Sequence, residues 1–359
     1  MSAPRIRPAV AALAAYQPGE QPRDPDVIKL NTNENPYPPS PAVGEAIRRF
    51  APDSLRRYPD PDCSALRRRL AEIHGCGPEH VIAANGSDEA LLWCVRAFGA
   101  RGSPVGWFEP SYSLYPVLAA AEERPAAPVA LGPDFEWRMP REYRAPLFFL
   151  THPNAPTGMR YPRAEVEAFC RASEGVVVVD EAYADFARAN ELDLAWTLPN
   201  VVVCRTLSKS FSLAGLRFGY AVGPADLIGA LHKLRDSYNV DRLTQEIALA
   251  ALSDLDHMRA NAARIVATRE AAARELAALG FAVSPSETNF LWVKPPAALP
   301  ARTLFERLRA EKIFIRYFPG ERTGGYVRIT VGTDAQMDRL FAVIGRILDK
   351  NKEDIRVVS

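Results

Sequence analysis

Cysteine pairs and long apolar runs are missing from this sequence, and each absence excludes a class of protein. Its five cysteines form no Cys-x-x-Cys pair, and none of them has a histidine beside it. Such spacing disfavours a disulfide framework and a zinc site, so we expect reduced thiols and a cytoplasmic protein. No apolar run approaches the length of a membrane span, and the N-terminus lacks the hydrophobic segment of a signal peptide. We therefore expect no membrane partner.

An excess of charge of either sign is also missing. Lysine and arginine together number 44 against 43 acidic residues, which gives a net charge of +1. So close a balance provides no general attraction for nucleic acid, although it is compatible with a local basic patch. No Gly-x-Gly-x-x-Gly opens a helix after a strand pattern, so a dinucleotide-binding fold is not supported. We expect no nucleic-acid partner.

The pattern of apolar segments predicts an α/β protein with an arm and two domains. A chain of 359 residues is long for one core. Residues 1–40 are rich in proline and form the expected N-terminal arm. Strand and helix patterns alternate over residues 80–220, which predicts a mostly parallel sheet in a large domain at 41–247. A small α+β domain is expected at 248–359, and the alanine-rich stretch 241–280 is predicted to be one long helical link.

Lysine is scarce, and one of its seven positions follows a predicted buried strand. The strand pattern Val201–Arg205 leads into Lys209, which stands between two serines. Ligands bind at the carboxyl ends of strands in open α/β sheets. Thr206, Ser208, Ser210 and Arg217 supply hydroxyl and guanidinium groups suited to a phosphate beside this lysine. A lysine next to a phosphate site suggests a Schiff base with pyridoxal 5′-phosphate (PLP), whereas an isolated Ser-Lys-Ser is more often an exposed loop.

Other predicted strand ends carry polar side chains that each allow two interpretations. Asp180 follows four valines, where a carboxylate either pairs with a positive group or caps a helix. Ser87 begins a predicted helix and either caps it or helps to bind a phosphate. Tyr112 and Tyr115 are packing residues, or one of them stacks on a flat ring. For each residue taken alone the structural role is at least as good an explanation.

Two arginines stand in apolar strand patterns of the small domain. Arg316 occurs within IFIRYF and Arg328 within YVRITV. One interpretation is that the alternation of side chains along a strand turns both arginines to solvent. The other is that one or both of them line a cleft and bind an anion there.

Taken together, the strand ends supply what PLP chemistry requires. Lys209 forms the Schiff base, and Asp180 keeps the ring nitrogen protonated so that the ring acts as an electron sink. Asn154 and Tyr183 hydrogen-bond the ring hydroxyl, and Tyr112 stacks on the ring face. Each signal is weak alone, but their joint occurrence on one sheet is specific.

At the level of motifs the chain resembles fold-type I PLP-dependent aminotransferases, and within them the histidinol-phosphate aminotransferase branch. The resemblance runs from about Tyr16 to the C-terminal helix. The motifs that carry it are N-x-N-E-N-P (Asn31–Pro36), RYPDP (Arg57–Pro61), NGSDE (Asn85–Glu89), PNAPTG (Pro153–Gly158), DEAY (Asp180–Tyr183), TLSKSFSLAGLRFGY (Thr206–Tyr220), SETNF (Ser286–Phe290) and RITVGT (Arg328–Thr333).

This resemblance implies a fold and a cofactor site. The fold is that of aspartate aminotransferase-like PLP-dependent transferases: a seven-stranded, mostly parallel sheet sandwiched by helices, plus a small α+β domain. Lys209 would attach PLP and move a proton, and Tyr58 would reach the phosphate from a partner subunit, which implies a homodimer. The remaining implied cofactor ligands are Ser87, Asp88, Tyr112, Asn154, Asp180, Tyr183, Thr206, Ser208 and Arg217.

The resemblance also implies the substrates. Arg328 would bind the α-carboxylate of glutamate and, in the other half-reaction, a substrate phosphate. Arg316, Tyr16, Asn239 and Asn35 would complete the substrate site. The expected reaction converts histidinol phosphate and 2-oxoglutarate to imidazole acetol phosphate and glutamate.

Three alternatives stay open at this point. An aromatic amino acid aminotransferase or a threonine-phosphate decarboxylase-like enzyme would share the fold, because paired arginines also suit a dicarboxylate. A catalytically silent ligand sensor would need a DNA-binding segment, for which the proline-rich first 40 residues leave no room. A generic α/β binding protein would carry Ser-Lys-Ser by chance and would not bind PLP.

Overall fold

A computed structural model describes residues 5–358 of the chain, so residues 1–4 of the predicted arm and residue 359 lie outside the described residues. The described arm contains helix α1 (Pro8–Ala12) and strand β1 (Ile28–Lys29). Strand β1 pairs in parallel with Ile313 and Phe314, and Leu30 is buried in the C-terminal core. Residues 28–30 of the predicted arm therefore pack as part of the small unit.

The large unit alternates strands with helices. Its elements in chain order are α2 (Pro41–Arg49), α3 (Ser64–His74), β2 (Val81–Ala84), α4 (Ser87–Ala97), β3 (Val105–Glu109), α5 (Leu114–Ala121), β4 (Ala126–Ala130), β5 (Leu147–Thr151), α6 (Arg163–Ala172), β6 (Val176–Asp180), α7 (Leu194–Thr197), β7 (Val201–Thr206), β8 (Gly219–Val222), α8 (Ala225–His232) and α9 (Arg242–Leu252). Short 3-10 helices lie at Pro52–Arg56, Pro78–His80, Ala184–Phe186 and Ala214–Leu216.

The small unit follows the large one and is built around an antiparallel sheet. Its elements are α10 (Leu255–Ala278), β9 (Ala282–Val283), β10 (Phe290–Lys294), α11 (Ala301–Ala310), β11 (Ile313–Phe314), β12 (Arg316–Tyr317), β13 (Val327–Thr330) and α12 (Asp334–Val358). The strand order is β12-β13-β10-β9. In this register Arg316 lies directly opposite Arg328.

The central sheet confirms the predicted α/β class. Its seven strands run in the order β2-β8-β7-β6-β5-β3-β4, and only β8 is antiparallel to its neighbours. Valine runs form its middle, since Val177–Val179 on β6 and Val201–Val203 on β7 are fully buried. β-Branched side chains suit strands that helices cover on both faces. This burial places the polar residues after β6 and β7 at one edge of the sheet.

The alanine-rich stretch is two helices, not the single helix that the sequence predicts. Helix α9 ends at Leu252, and α10 begins after Asp254, whose carboxylate accepts the backbone N–H of His257 at 3.3 Å. An aspartate at this position favours a new helix start over continuation. Ala248 and Ala251 of α9 pack in the same core cluster as Leu66 of α3. Helix α9 therefore packs against the core of the large unit, and the domain boundary at residue 247 stays a prediction.

Two further observations bear on the predictions about membrane spans and cysteines. In residues 5–358, no helix has the combination of length and apolar composition needed to cross a membrane. All five cysteines are free thiols, and four of them are buried.

Trp292 connects the two units. It lies on β10 of the small sheet and is 0% exposed. Its ring stacks on Tyr326 with centroids 5.1 Å apart and meets Phe135 of the large unit edge-on at 6.2 Å. It shares a core cluster with Phe148 of β5.

We expect Trp292→Ala to lower the free energy of unfolding by about 3–5 kcal/mol, because it leaves a cavity between the units. Urea denaturation followed by circular dichroism measures this change. Trp196→Ala is the matched control: Trp196 is 36% exposed, so its truncation should cost about 1 kcal/mol or less. Equal losses in both variants would contradict the interface role of Trp292.

Candidate active site

One cavity lies where the arm, the strand ends of the large sheet and the small sheet meet. It opens to solvent, and polar and charged side chains from all three parts of the chain converge on it, as is typical of a small-molecule site. Most of the residues that the sequence predicts for the site line it, namely Tyr16, Ser87, Asp88, Tyr112, Asp180, Tyr183, Thr206, Ser208, Lys209, Arg217, Arg316 and Arg328.

Lys209 follows β7, and its amine lies against the arm. Its Nζ donates to the carbonyl oxygen of Thr32 at 3.3 Å. The side-chain amide of Asn35 donates to the carbonyl oxygens of Lys209 and Ser210, both at 3.1 Å, and so fixes the loop. Loss of hydration, followed by the charge of Arg328, lowers the pKa of Lys209 to about 8. A substantial fraction of this amine is therefore neutral and nucleophilic near pH 8.

Asp180 ends β6 as a buried carboxylate without an ion-pair partner among the described side chains. The hydroxyl of Tyr115 donates to its Oδ2 at 2.8 Å, and the N–H of Ala182 donates to its Oδ1 at 3.2 Å. Burial raises the pKa of Asp180 to about 6 despite these two hydrogen bonds. A cationic ligand atom beside Asp180 would supply the missing charge.

An anion site lies at the start of helix α4. Ser87 and Asp88 are the first residues of this helix, and no side chain caps it. The N–H groups of its first turn form the positive end of the helix dipole and are free to bind an anion. Across from them, Thr206 Oγ1 donates to Ser208 Oγ at 2.9 Å, and Arg217 Nη1 contacts the same Ser208 oxygen at 3.4 Å. These groups together suit a phosphate.

Gly219 allows the anion site to form. It begins β8 and pairs with Ala84 at the end of β2. A Cβ atom on Gly219 would lie 2.3 Å from the backbone nitrogen of Ser87. Only glycine therefore lets β8 approach the first turn of helix α4.

Aromatic side chains form one wall of the cavity. The hydroxyl of Tyr112 donates to Asp88 Oδ1 at 3.2 Å, and its ring meets Tyr16 of the arm edge-on at 6.1 Å. Tyr115 is fully buried behind Tyr112 and stacks on Phe149. Of the two tyrosines that the sequence leaves open, Tyr112 faces the cavity and Tyr115 is the packing residue.

Arg316 and Arg328 both line the cavity and lack a carboxylate partner among the described residues. Arg328 donates to the carbonyl oxygen of Asn31 at 3.0 Å, and its Nε has no hydrogen-bond partner. Arg316 donates to the carbonyl oxygens of Gln17 and Pro18 at 3.0 and 3.2 Å. Both guanidinium groups also lie over the Phe318 ring, at 5.2 and 5.3 Å from its centroid. Two neighbouring guanidinium groups that have no carboxylate partner can bind an anionic group.

Four residues that the sequence predicts for the site do not line the cavity. Tyr58 is 74% exposed and stacks on Tyr238 with ring centroids 4.3 Å apart. Asn154 donates to Thr157 and to the carbonyl oxygen of Pro110, behind the wall. Asn239 binds the carbonyl oxygen of Ala83 and the carboxylate of Glu89, and Asn35 binds the lysine loop as described above. Their ligand-binding roles stay predictions.

Other residues of the site are not identified by sequence reasoning. Tyr115 donates to Asp180, and Thr151 in turn contacts the Tyr115 hydroxyl at 2.6 Å. Asn33 of the arm donates to the hydroxyl of Tyr183 at 2.8 Å. Asn33 could have been predicted from its place in the polar N-x-N-E-N-P motif. Nothing in the sequence distinguishes Tyr115 from an ordinary packing tyrosine.

The groups around the cavity fit PLP. The buried Asp180 suits a protonated ring nitrogen, the start of α4 suits a phosphate, and Lys209 provides an amine for a Schiff base. Among the side chains that the structure describes, residues 5–350, no cluster of three His, Cys, Asp or Glu has a metal-binding arrangement.

Comparison with known sequences identifies relatives of the whole chain. The sequence profile of the family described as aminotransferase class I and II matches residues 25–344. Histidinol-phosphate aminotransferase from Syntrophotalea carbinolica is 43% identical over 346 residues, which cover 95% of this chain and 99% of that protein.

Solved structures of aminotransferases have the same fold as this chain. Histidinol-phosphate aminotransferase from Sinorhizobium meliloti, in complex with pyridoxal-5′-phosphate, superposes with a TM-score of 0.84 at 28% identity, over 96% of this chain and 99% of that one. A tetra mutant of aspartate aminotransferase from Thermus thermophilus superposes with a TM-score of 0.80 at 21% identity, over the same shares of the two chains. The predicted aspartate aminotransferase-like fold is confirmed.

We expect Gly219→Ala to weaken PLP binding by the apoprotein at least about tenfold, because the new methyl group displaces the first turn of α4. Equilibrium titration of cofactor absorbance measures the dissociation constant, and thermal melting verifies that the variant is folded. Gly215→Ala is the control, since nothing lies within 4 Å of its Cβ position. Similar affinities for the two folded variants would contradict this account of the phosphate site.

The lowered pKa of Lys209 predicts a pH dependence. Only the neutral amine attacks an aldehyde, so the rate of covalent PLP attachment to apoprotein should rise with pH around a midpoint near 8. Borohydride trapping at successive times measures this rate.

Two variants assign that reaction to one lysine. Lys209→Ala should trap no cofactor, whereas replacement of the exposed Lys233 by alanine should leave the rate unchanged. A midpoint near the ordinary lysine value of 10.5, or trapping in Lys209→Ala, would contradict the assignment.

Proposed function

The chain belongs to the aminotransferase class I and II family, and from this membership we propose that it is a PLP-dependent histidinol-phosphate aminotransferase. It would exchange the amino group between histidinol phosphate and 2-oxoglutarate, giving imidazole acetol phosphate and glutamate. The observation that carries the substrate assignment is the 43% identity to histidinol-phosphate aminotransferase from Syntrophotalea carbinolica over 346 residues. The pair Arg316 and Arg328, which line the same cavity as Lys209 without carboxylate partners, suits the anionic groups of both substrates.

The proposal gives each group around Lys209 a chemical role. PLP supplies an electron-withdrawing ring that carries the amino group from one substrate to the other. Lys209 would hold the cofactor covalently, and its free amine would move the proton of the substrate's Cα. Because the pKa of Lys209 is lowered to about 8, a larger fraction of its amine is free to accept a proton than in an ordinary lysine. The buried carboxylate of Asp180 would favour a protonated ring nitrogen.

The walls of the cavity orient the cofactor. Ser87, Asp88, Thr206, Ser208 and Arg217 would hold its phosphate at the start of α4. Tyr112 would lie against the ring face, and the hydroxyl of Tyr183 would donate to the ring oxygen. Asn154 would reach that oxygen only after a change in its present hydrogen bonds to Pro110 and Thr157.

The substrate-binding end of the cavity has two features suited to an anionic substrate. Arg328 is half-buried, and its partial burial lowers its pKa, but an arginine of lowered pKa still carries its charge and can form a charge-assisted bond with an anion. Arg316 and Tyr16 extend the same wall towards the arm. The phosphate of histidinol phosphate and the carboxylates of glutamate would use this same surface in turn.

We also propose a cytoplasmic homodimer. Tyr58 and Leu55 are large exposed side chains on one surface, and Tyr58 is positioned there by its stack on Tyr238. A partner subunit covering this surface would bring Tyr58 to the other cavity's phosphate. The five free thiols suit a reducing compartment.

Steady-state kinetics with different amino donors test the substrate assignment. With 2-oxoglutarate as acceptor, histidinol phosphate should exceed histidinol in kcat/KM by about a hundredfold or more, because only the former offers a phosphate to the arginines. Arg316→Gln should reduce this ratio about tenfold. Arg302→Gln is the control, since Arg302 is exposed on α11 and pairs with Glu306.

The alternatives give different results in the same assay. A preference for phenylalanine over histidinol phosphate would indicate an aromatic amino acid aminotransferase. Release of carbon dioxide from threonine phosphate would indicate a decarboxylase. Equal kcat/KM values for histidinol and histidinol phosphate would contradict the role given to Arg316 and Arg328.

A further inference from the structure

Asn33 joins the arm to both units beside the cavity. It is 1% exposed and has a left-handed backbone conformation with φ of 57°. Its side-chain Nδ2 donates to the hydroxyl of Tyr183 in the large unit at 2.8 Å. Its Oδ1 accepts the hydroxyl of Thr330 at 3.1 Å, and Thr330 ends strand β13, two residues after Arg328.

The surrounding hydrogen bonds fix the orientation of this amide. Thr330 Oγ1 already accepts the backbone N–H of Asn33 at 3.0 Å, so its own proton is free to bind Asn33 Oδ1. The amide of Asn289 donates to the carbonyl oxygen of Asn33 at 2.9 Å, which holds the backbone from the other side. Nδ2 of Asn33 is therefore left to face Tyr183.

A hydroxyl group that accepts one hydrogen bond keeps its own proton for another partner. Because Asn33 occupies an acceptor position on the Tyr183 oxygen, the Tyr183 proton is directed elsewhere, and Tyr183 lines the cavity. Accepting a hydrogen bond also makes a hydroxyl a stronger donor.

We propose that Asn33 is a positioning residue that makes Tyr183 a hydrogen-bond donor to the ring oxygen of PLP. This inference rests on the proposed function, since it needs the cofactor in the cavity. Asn33 does not touch the reacting atoms; it acts through Tyr183.

The charged and titratable groups around Tyr183 come from several elements. Arg328 faces it from β13, Asp180 from the end of β6 and Tyr16 from the arm, and Lys209 Nζ lies 6.0 Å from its ring centroid. Burial raises the pKa of Tyr183, so its hydroxyl keeps its proton through the neutral range. Removal of the Asn33 amide changes none of these charges.

The nitrogen that joins Lys209 to PLP provides the measurement. A donor to the ring oxygen stabilises the form in which this nitrogen is unprotonated, because that form has more negative charge on the oxygen. A weaker donor therefore raises the pKa of the nitrogen, and the change of protonation is visible in the absorption spectrum of the bound cofactor.

The experiment is a spectrophotometric pH titration of the purified holoenzyme and its variants. Asn33→Gly removes the amide and keeps a residue that accepts a positive φ. It should raise the midpoint by about 0.3–1 pH unit. Tyr183→Phe should raise it further, and the double variant should match Tyr183→Phe alone, because Asn33 then has nothing to act on.

A midpoint in Asn33→Gly equal to that of the wild type would overturn the inference. An additional shift in the double variant would overturn it as well, since Asn33 would then act independently of Tyr183. Thr330→Val removes the hydroxyl that orients the Asn33 amide, so it should also raise the midpoint. This variant replaces Asn33→Gly in the experiment if Asn33→Gly does not fold. A wild-type protein without a cofactor absorbance band would overturn the proposed function itself, which distinguishes the two failures.

Discussion

The buried carboxylate of Asp180 is the constraint on which the site depends. Strand β6 is buried along most of its length, so the carboxylate at its end is removed from water. Such a buried charge is unfavourable unless a positive group lies beside it. Tyr115 and the N–H of Ala182 stabilise the carboxylate only in part, because its pKa still rises to about 6. A protonated ring nitrogen of the cofactor would supply the positive charge that Asp180 lacks. Binding of such a cofactor to the folded state alone would therefore also stabilise the fold.

The second constraint is that the site needs all three parts of the chain. The arm supplies the Thr32 carbonyl oxygen that binds Lys209 and the Asn33 amide that binds Tyr183. The same arm pairs with β11 and receives a hydrogen bond from Arg328. The lysine loop of the large unit and the arginines of the small unit thus contact one continuous segment. A segment with so few helical residues is ordered by these partners.

Sequence reasoning identifies the features that repeat along the chain and misses those that depend on pairwise contacts. Valine runs predict the buried strands. Asp180 directly follows one such run, and Lys209 lies in the polar stretch that follows the next, so both are predicted at the carboxyl ends of strands. The alanine-rich stretch has uniform helix propensity, so only the local cap at Asp254 reveals the break between α9 and α10. Tyr115 is predicted equally well as packing or stacking, because its contact with Asp180 comes from the parallel pairing of β5 and β6, which brings Thr151 beside Asp180.

Two of the cationic groups of the cavity, Lys209 and Arg328, are electrostatically coupled. The charge of Arg328 helps to lower the pKa of Lys209, although loss of hydration contributes more. The neutral fraction of this amine is therefore larger than that of an ordinary lysine at the same pH, and only the neutral amine can attach a cofactor. An anion bound at Arg328 would offset part of the arginine's charge and make the amine of Lys209 more basic than in the free protein. A more basic amine would be a stronger acceptor for the proton of the substrate's Cα.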